Sequence, residues 1–327
     1  MSRINRMTGE NIIRPDAFTA RDSLSMTAIP AIRIDAHQHF WKYSAQEFDW
    51  IDDGMSGIRR DFLPSDLAPL LRANEVNGTI AVQARQCVEE TDWLLDLAEA
   101  NPRIMGVVGW LPIASEGFPS LLDSYACRSK LRGLRHVLQA EADAYFEDAN
   151  FHHGLGLLRS YGIAYDLLIV ERQMGPALRL VDRHPDQIIV LDHLAKPLIA
   201  AGQLHPWATH LRELARREHV VCKLSGLVTE ANYRNWTVAE LKPFVDIALE
   251  AFGPTRLLFG SDWPVCTVAS SYQHWCETAE EMLSACTSGE RDAIFGLNAQ
   301  RVYGISTVNE EIHPKSQDSS VFPDPRS

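Results

Sequence analysis

The sequence predicts a single (β/α)8 (TIM) barrel, on three observations. Eight short runs rich in Val, Ile and Leu recur along the chain, with amphipathic stretches between them. No Pro-, Gly- or Ser-rich linker separates those units into domains. No G-x-G-x-x-G or Walker spelling follows any of the runs, which argues against an open, doubly wound sheet.

The expected strands are Ile32 to Phe40, Gly78 to Ala84, Ile104 to Leu111, Gly133 to Leu138, Ile163 to Val170, Ile188 to His193, Val220 to Leu224 and Leu257 to Asp262. Helical spacing of three and four appears in Thr91 to Ala100, Pro176 to Arg183, Ala208 to Arg217 and Thr237 to Phe252. The last stretch opens on a capping-box spelling, Thr237 with Glu240, and stops at Phe252-Gly253-Pro254. Trp41 to Leu63 is a long insertion after the first strand, carrying Trp41, Tyr43, Phe48 and Trp50. Its position suggests a lid over the barrel mouth, with aromatic packing on the barrel top as the alternative. The barrel is expected over residues 31–305, with disordered segments over residues 1–30 and 306–327.

Composition limits the function. With 327 residues, 46% of them hydrophobic, the chain can bury a large core. A net charge of -12 with scattered Lys and Arg disfavours a nucleic-acid partner. No apolar run reaches the roughly 18 residues that span a bilayer, so no membrane partner is expected. The first thirty residues contain Arg3, Arg6, Arg14 and Arg21 but no continuous apolar core, unlike a secretory signal. The six cysteines form no C-x-x-C pair, and Cys222 and Cys266 fall in apolar, strand-like runs. A reduced, cytoplasmic protein is the expectation, with a homo-oligomer left open.

Reactive side chains of such a barrel sit at the carboxyl ends of its strands. There the sequence places His37 and His39, Gln83 and Arg85, Arg135 and His136, Asp192 and His193, Lys223 and Ser225, and Asp262. Alternation along an extended strand would turn His37 and His39 to one side and Gln38 to the other. A carboxylate after Leu257-Leu258-Phe259-Gly260 must be paired, bind a metal or take a proton to justify its burial. Closure brings the last strand beside the first, so His37, His39 and Asp262 can form a metal ligand set. Singly, each has an ordinary explanation: His136 as a core histidine, Arg135 and Lys223 as ion-pair partners.

These residues carry a family resemblance. Ile34-Asp35-Ala36-His37-Gln38-His39-Phe40-Trp41, Val82-Gln83-Ala84-Arg85-Gln86, Gly133-Leu134-Arg135-His136, Leu191-Asp192-His193-Leu194-Ala195-Lys196-Pro197, Cys222-Lys223-Leu224-Ser225-Gly226-Leu227 and Phe259-Gly260-Ser261-Asp262-Trp263-Pro264-Val265 resemble the amidohydrolase superfamily, and within it the sugar-acid lactonase branch. The resemblance runs from about Arg33 to Tyr303. It implies a distorted, amidohydrolase-like barrel, lactone hydrolysis, and an active site around His37, His39, His193 and Asp262. Strand four lacks the bridging Lys or Glu of two-metal members, and strand five reads Ala164-Tyr165-Asp166-Leu167, without their histidine. One divalent ion, zinc by choice and not indispensable, or none is therefore expected.

Hydrolysis of an ester needs an activated water, an oxyanion stabiliser and a proton for the leaving alkoxide. Asp262 is expected to take the water proton, and His193 to hold the oxyanion with His136 or Lys196 assisting. Trp41 and Trp263 are candidates to stack on a sugar ring, with packing as the ordinary alternative. Gln83, Arg85 and Arg135 are candidates to bind its polar groups. The resemblance favours a small sugar lactone, L-fucono-lactone in particular. A pyrone-dicarboxylate lactonase, an aromatic-acid decarboxylase on the same barrel, and a sugar-binding barrel with a relic site are the rival readings.

Overall fold

In the computed structural model, which describes residues 31–305, eight parallel strands hydrogen-bond in chain order. They are β1 (Ile34–Gln38), β2 (Gly78–Val82), β3 (Ile104–Gly109), β4 (Leu131–His136), β5 (Ala164–Leu167), β6 (Ile189–Leu191), β7 (Val220–Leu224) and β8 (Leu257–Phe259). The segments 1–30 and 306–327, expected to be disordered, lie outside the described residues.

Each strand is buried along most of its length, as parallel sheets covered by helices require. Inside the barrel, Ile34, Ile80, Val108, Val190, Val221 and Leu258 pack together, one from each of six strands. Burying such an aliphatic side chain contributes about 1.5–3 kcal/mol. Tyr303, from the C-terminal segment, joins this interior cluster.

The barrel closes by a short seam in place of a full β8–β1 ladder. Asp262 N donates to His37 O at 2.8 Å, and His39 N donates to Trp263 O at 2.7 Å. At the other end of the same seam, the Asn298 side-chain amide donates to the Pro254 and Leu257 carbonyls, both at 2.8 Å. The turn Ala293–Leu297 presses there against the chain leading into β1. A Cβ on Gly296 would stand 1.7 Å from Ile32 O, so only glycine fits.

The helices follow the expected amphipathic stretches with shifted ends: Val88–Ala100, Met174–Asp182, Trp207–Ala215 and Val238–Phe252. Glu240 Oε2 accepts from Thr237 N at 2.7 Å, so the predicted capping box is made. Strands six and eight are shorter than expected. After Leu191 the chain does not stay extended: His193, Leu194, Ala195 and Lys196 all take positive φ, between 50° and 60°. Asp262 does the same at φ 58°. Non-glycine residues in this region carry strain that surrounding structure must hold, and they cluster at functional sites. Cys266, expected in a strand-like run, sits in the short helical turn Val265–Val268.

The insertion after β1 is packed and also overhangs the barrel mouth. Trp41 pairs with Phe62 through two backbone hydrogen bonds of 3.0 and 2.9 Å, and its indole donates to Arg60 O at 2.8 Å. The segment so anchored brings Glu47, Asp49, Trp50 and Met55 over the carboxyl ends of the strands.

Candidate active site

The carboxyl ends of the strands open into a cavity of about 550 Å3, lined on its floor by His39, Arg135, His193 and Asp262. Arg85, Lys196, Glu230 and Tyr233 line its walls.

His39 reaches this floor, and His37 comes to lie buried beneath it, through an irregularity in β1. Ile34 and Ala36 belong to the interior cluster, so strict alternation would turn His37 away from it. Between Asp35 and Gln38, however, three residues of β1 advance against two of β2. This is a β-bulge, which re-aims a side chain. Asp35, before it, turns to Tyr272 OH (3.1 Å) and to Ser261 N (2.8 Å). Beyond it, His37 and His39 converge, their Nε2 atoms 3.2 Å apart.

Asp262 Oδ1 completes a triangle, 3.3 Å from His39 Nε2 and 3.7 Å from His37 Nε2. Tetrahedral zinc with bonds of about 2.0–2.1 Å separates its ligand atoms by roughly 3.3 Å, so the three atoms fit that ion. The His39 tautomer also fits: Nδ1 stands 2.8 Å from Val82 O, an acceptor only, which leaves the Nε2 lone pair facing the triangle. Asp192 and His193 form a second convergent group with His37.

Behind the triangle lies a fully buried charge network. Lys223 contacts Asp166, Asp192 Oδ1 (3.1 Å) and His37 Nδ1 (3.1 Å). Arg135 pairs with Asp192 Oδ2 at 3.1 Å, and Tyr303 OH donates to Asp166 at 3.0 Å. Among the described residues, Lys223 and Arg135 are the fixed cations paired with Asp166 and Asp192, and Asp262 faces imidazoles instead. The surplus negative charge suits a bound cation or a shared proton.

The environment sets the protonation states. Burial disfavours charge on Asp262, but the surrounding His193, His39 and His37 outweigh it and hold the carboxyl well below the usual carboxylate range. Asp192 is held well below that range by Lys223, His37 and Arg135 despite its burial. Burial lowers His193 to about 4 and, with the Lys223 charge, His37 well below the imidazole range. Both rings are therefore neutral near pH 7. Burial raises Asp166 to about 6 against the pull of Lys223.

His193 is aimed by its neighbours. Its Nδ1 lies 2.9 Å from Ser225 Oγ, and its ring packs on Gly226, where a Cβ would stand 2.6 Å from Nδ1. Gly226 also takes φ 67°, so glycine answers both demands.

Of the residues expected at the site, His39, His193, Asp262, Arg85, Arg135 and Lys196 come together around the cavity floor and walls, with His37 buried beneath against His39 and Asp262. Lys196 pairs with Glu230 at 3.6 Å, and Arg85 pairs with Glu47 and Glu90. Four others are placed elsewhere. Trp41 and Trp263 are buried among Phe48, Phe62 and Phe40, with no ring face offered to the cavity. Gln83 is buried and braces Arg135, whose guanidinium donates to its backbone carbonyl. His136 donates from Nε2 to Glu141 (2.9 Å), accepts from the Trp110 indole (3.2 Å) and stacks on Tyr145, which satisfies it away from the cavity.

Sequence alone assigns no catalytic or binding role to Asp166, Asp192, Lys223 or Glu230, beyond an ion pair for Lys223. The first three had a signal: charged residues inside apolar runs such as Val220-Val221-Cys222-Lys223-Leu224. Glu230 had none, because it follows β7 on a separate short helix, Leu227–Glu230.

Comparison with known proteins agrees with this geometry. A family model described as Amidohydrolase matches residues 34–305. An L-fucono-1,5-lactonase of Burkholderia multivorans is 44% identical over 289 residues, covering 84% of this chain and 97% of that protein. An L-fucono-1,5-lactonase of Burkholderia ambifaria is 35% identical over 288 residues, covering 86% of this chain and 98% of its own length. A crystal structure of a Burkholderia multivorans amidohydrolase with bound zinc matches with a TM-score of 0.82 at 43% identity, over 84% of this chain and 100% of that one. The chain belongs to the amidohydrolase family.

Proposed function

We propose that this member of the amidohydrolase family hydrolyses a sugar lactone to the free sugar acid, with L-fucono-1,5-lactone as the first candidate. The observation that carries this reading is an ionised Asp262 beside two neutral imidazoles, His193 on the floor of a cavity whose cations are already paired and His37 buried beneath it. The two relatives named L-fucono-1,5-lactonase support the substrate.

Asp262 accepts a proton from a water lying between it and the substrate carbonyl, as a carboxylate held ionised can do at neutral pH. Oxygen of that water bonds to the carbonyl carbon, and His193, with Lys196 on the cavity wall, stabilises the oxyanion that forms. Collapse breaks the ring carbon–oxygen bond. The proton held on Asp262 passes to the departing alkoxide, and the new carboxylic acid ionises. His37, His39 and Asp262 would hold a zinc ion, which when bound lowers the pKa of its water toward about 7 and polarises a carbonyl.

The walls favour a neutral, hydroxyl-rich lactone over a dicarboxylate one. Arg85 is engaged by Glu47 and Glu90, Arg135 by Asp192 and Lys196 by Glu230, so each cavity cation faces a carboxylate. Glu47, Glu230 and Tyr233 can accept hydrogen bonds from the hydroxyls of a polyol. We place the enzyme in the cytoplasm, where its six free cysteines would stay reduced, acting on a small molecule without nucleic acid or membrane. Among the described residues no helix is long and apolar enough to cross a membrane.

The test is acid release from a panel of aldonolactones and dicarboxylate lactones. Turnover of a neutral aldonolactone, lost in Asp262→Asn, is the expected result. Turnover only of dicarboxylate lactones, or equal rates in Asp262→Asn, would overturn it.

A further inference from the structure

Trp41 and Trp263 are spent on packing, yet a third tryptophan stands at the cavity. In the insertion after β1, Phe48 and Ile51 are each 2% exposed, while Trp50 between them is 40% exposed and lines the cavity. The backbone beside it is fixed: Ile51 N donates to Phe48 O at 3.1 Å, and Arg59 donates to Ile51 O from Nε at 3.2 Å and from Nη2 at 2.9 Å. The buried Trp41 ring meets the Trp50 ring in a T-shaped contact, with centroids 5.9 Å apart. An indole held out at a cavity by a braced chain is apolar area left for a ligand to cover.

Trp50 has apolar company on the same side. The turn Asp53–Ile58, which carries Met55, packs against the turn Val265–Val268, and Met55 and Val265 both line the cavity. Val265 follows closely on Asp262, in a turn that Cys266 N closes by donating to Asp262 O at 2.9 Å. The apolar wall therefore begins beside the carboxylate. Across the barrel, after β4, the lining is different. Gln139 stands there with an Oε1 that has no hydrogen-bond partner among the described residues, and Gln86 reaches the same wall to accept from Val137 N at 2.8 Å.

The chemistry of a 1,5-lactone fixes which part of the sugar meets which wall. Its ring oxygen joins the carbonyl carbon to C5, and C6 hangs from C5, next to the bond that breaks. Asp262 returns its proton to that departing oxygen, so C5 and C6 must lie on the Asp262 side, where Val265 stands. The carbons that bear the other hydroxyls then extend across the cavity, toward Gln139. On the lactonase reading, we propose that Trp50, Met55 and Val265 form the wall that reads C6, and that the preferred substrate is a 6-deoxy sugar lactone, whose methyl group this wall takes. A hydroxymethyl group in the same place would give up hydrogen bonds to water and find no partner on three apolar side chains.

The test compares L-fucono-1,5-lactone with L-galactono-1,5-lactone, which differ only in methyl against hydroxymethyl at C5. The full chain should open the first with a kcat/KM at least about tenfold higher, within what an apolar pocket achieves against an added hydroxyl. Val265→Thr and Met55→Gln, which put a polar group into the wall at nearly constant volume, should each narrow that ratio at least about threefold, and Trp50→Ala, which strips away apolar area, should narrow it too. Both lactones meet the same protein, so the ratio is untouched by partial unfolding or by a general loss of rate. Equal efficiency on the two lactones, turnover confined to lactones without the methyl group, or a ratio unchanged in all three variants would overturn the assignment of the wall and leave the lactonase reading standing. No acid from any aldonolactone would overturn both.

Discussion

Gly226→Ala offers the most direct test of whether His193 works through its exact placement. Gly226 lies at φ 67°, where an L side chain costs roughly 1–2 kcal/mol. The added Cβ would stand 2.6 Å from His193 Nδ1 and 2.8 Å from Cγ, against an ordinary contact of 3.4 Å or more. The ring must therefore retreat by about 0.8 Å, the difference between 3.4 and 2.6 Å. That retreat strains the 2.9 Å contact with Ser225 and withdraws the ring from the carbonyl it is proposed to polarise. Misplacing a reacting group by about 1 Å costs on the order of a hundredfold in rate. Gly226→Ala should thus lose about a hundredfold in kcat, close to the loss from His193→Ala, with a stability drop of about 1–2 kcal/mol in denaturant titration. Because both changes act through one group, the double variant should be little worse than either single one. A folded Gly226→Ala protein within about threefold of the wild-type kcat, or full additivity in the cycle, would refute the argument.

Three further outcomes follow from the same geometry. His193 is lowered to about 4, and it serves as the neutral imidazole, so kcat/KM should hold from pH 7 to about 5 and fall only as pH drops through about 4; an acid limb centred at 6.5 would contradict this. His39→Ala should abolish stoichiometric zinc binding in a metal titration while the protein stays folded, since His39 supplies one corner of the triangle; retained 1:1 binding would place the ion elsewhere. Glu90 is raised by burial from 4.5 to about 7, so its stability contribution runs opposite to that of most carboxylates. The native state favours the protonated form, and stability is lost as pH rises from 4.5 to about 7, by about 3 kcal/mol in all. Glu90→Gln keeps an acceptor for Ala84 N and Arg85 N and should lack that loss. Denaturant titrations at pH 5 and pH 8 check it, and equal pH dependence in both proteins would count against the account.

Much of the barrel could be read from periodicity, because apolar runs and amphipathic stretches report which surfaces are buried. Val220-Val221-Cys222-Lys223-Leu224 was found to the residue, since a strand buried on both faces leaves a continuous apolar run. Strand ends were harder. The run through Ile188 to His193 looked extended throughout, yet four positive φ values begin at His193, and no local residue preference announces a left-handed turn of non-glycine residues. The bulge in β1 was equally silent, although it decides that His37 turns toward His39 and Asp262 beneath the cavity. For the tryptophans, residue type misled: Trp41 and Trp263 sit beside the site in sequence, but their area is spent on packing the insertion against the barrel. Asp262 and the two strand-one histidines could be paired from sequence because closure of eight strands makes first and last neighbours, an argument that needs topology and no side-chain detail.

The closing seam joins stability and chemistry in a way that constrains both. Asp262 N and His39 N make the hydrogen bonds that tie β8 to β1, and the same two residues supply the carboxylate and an imidazole of the triangle. Asp35 secures the seam from behind by accepting from Ser261 N, next to Asp262, and from Tyr272 OH. Burial raises its carboxyl to about 6, opposed by those hydrogen bonds, so Asp35 is itself held at a cost in desolvation. Losing Asp35 would therefore leave Ser261 N unpaired and loosen the turn that carries Asp262 at positive φ. The barrel is closed by the residues proposed to do its chemistry, and the turn that carries Asp262 at positive φ is tied down by a buried carboxylate.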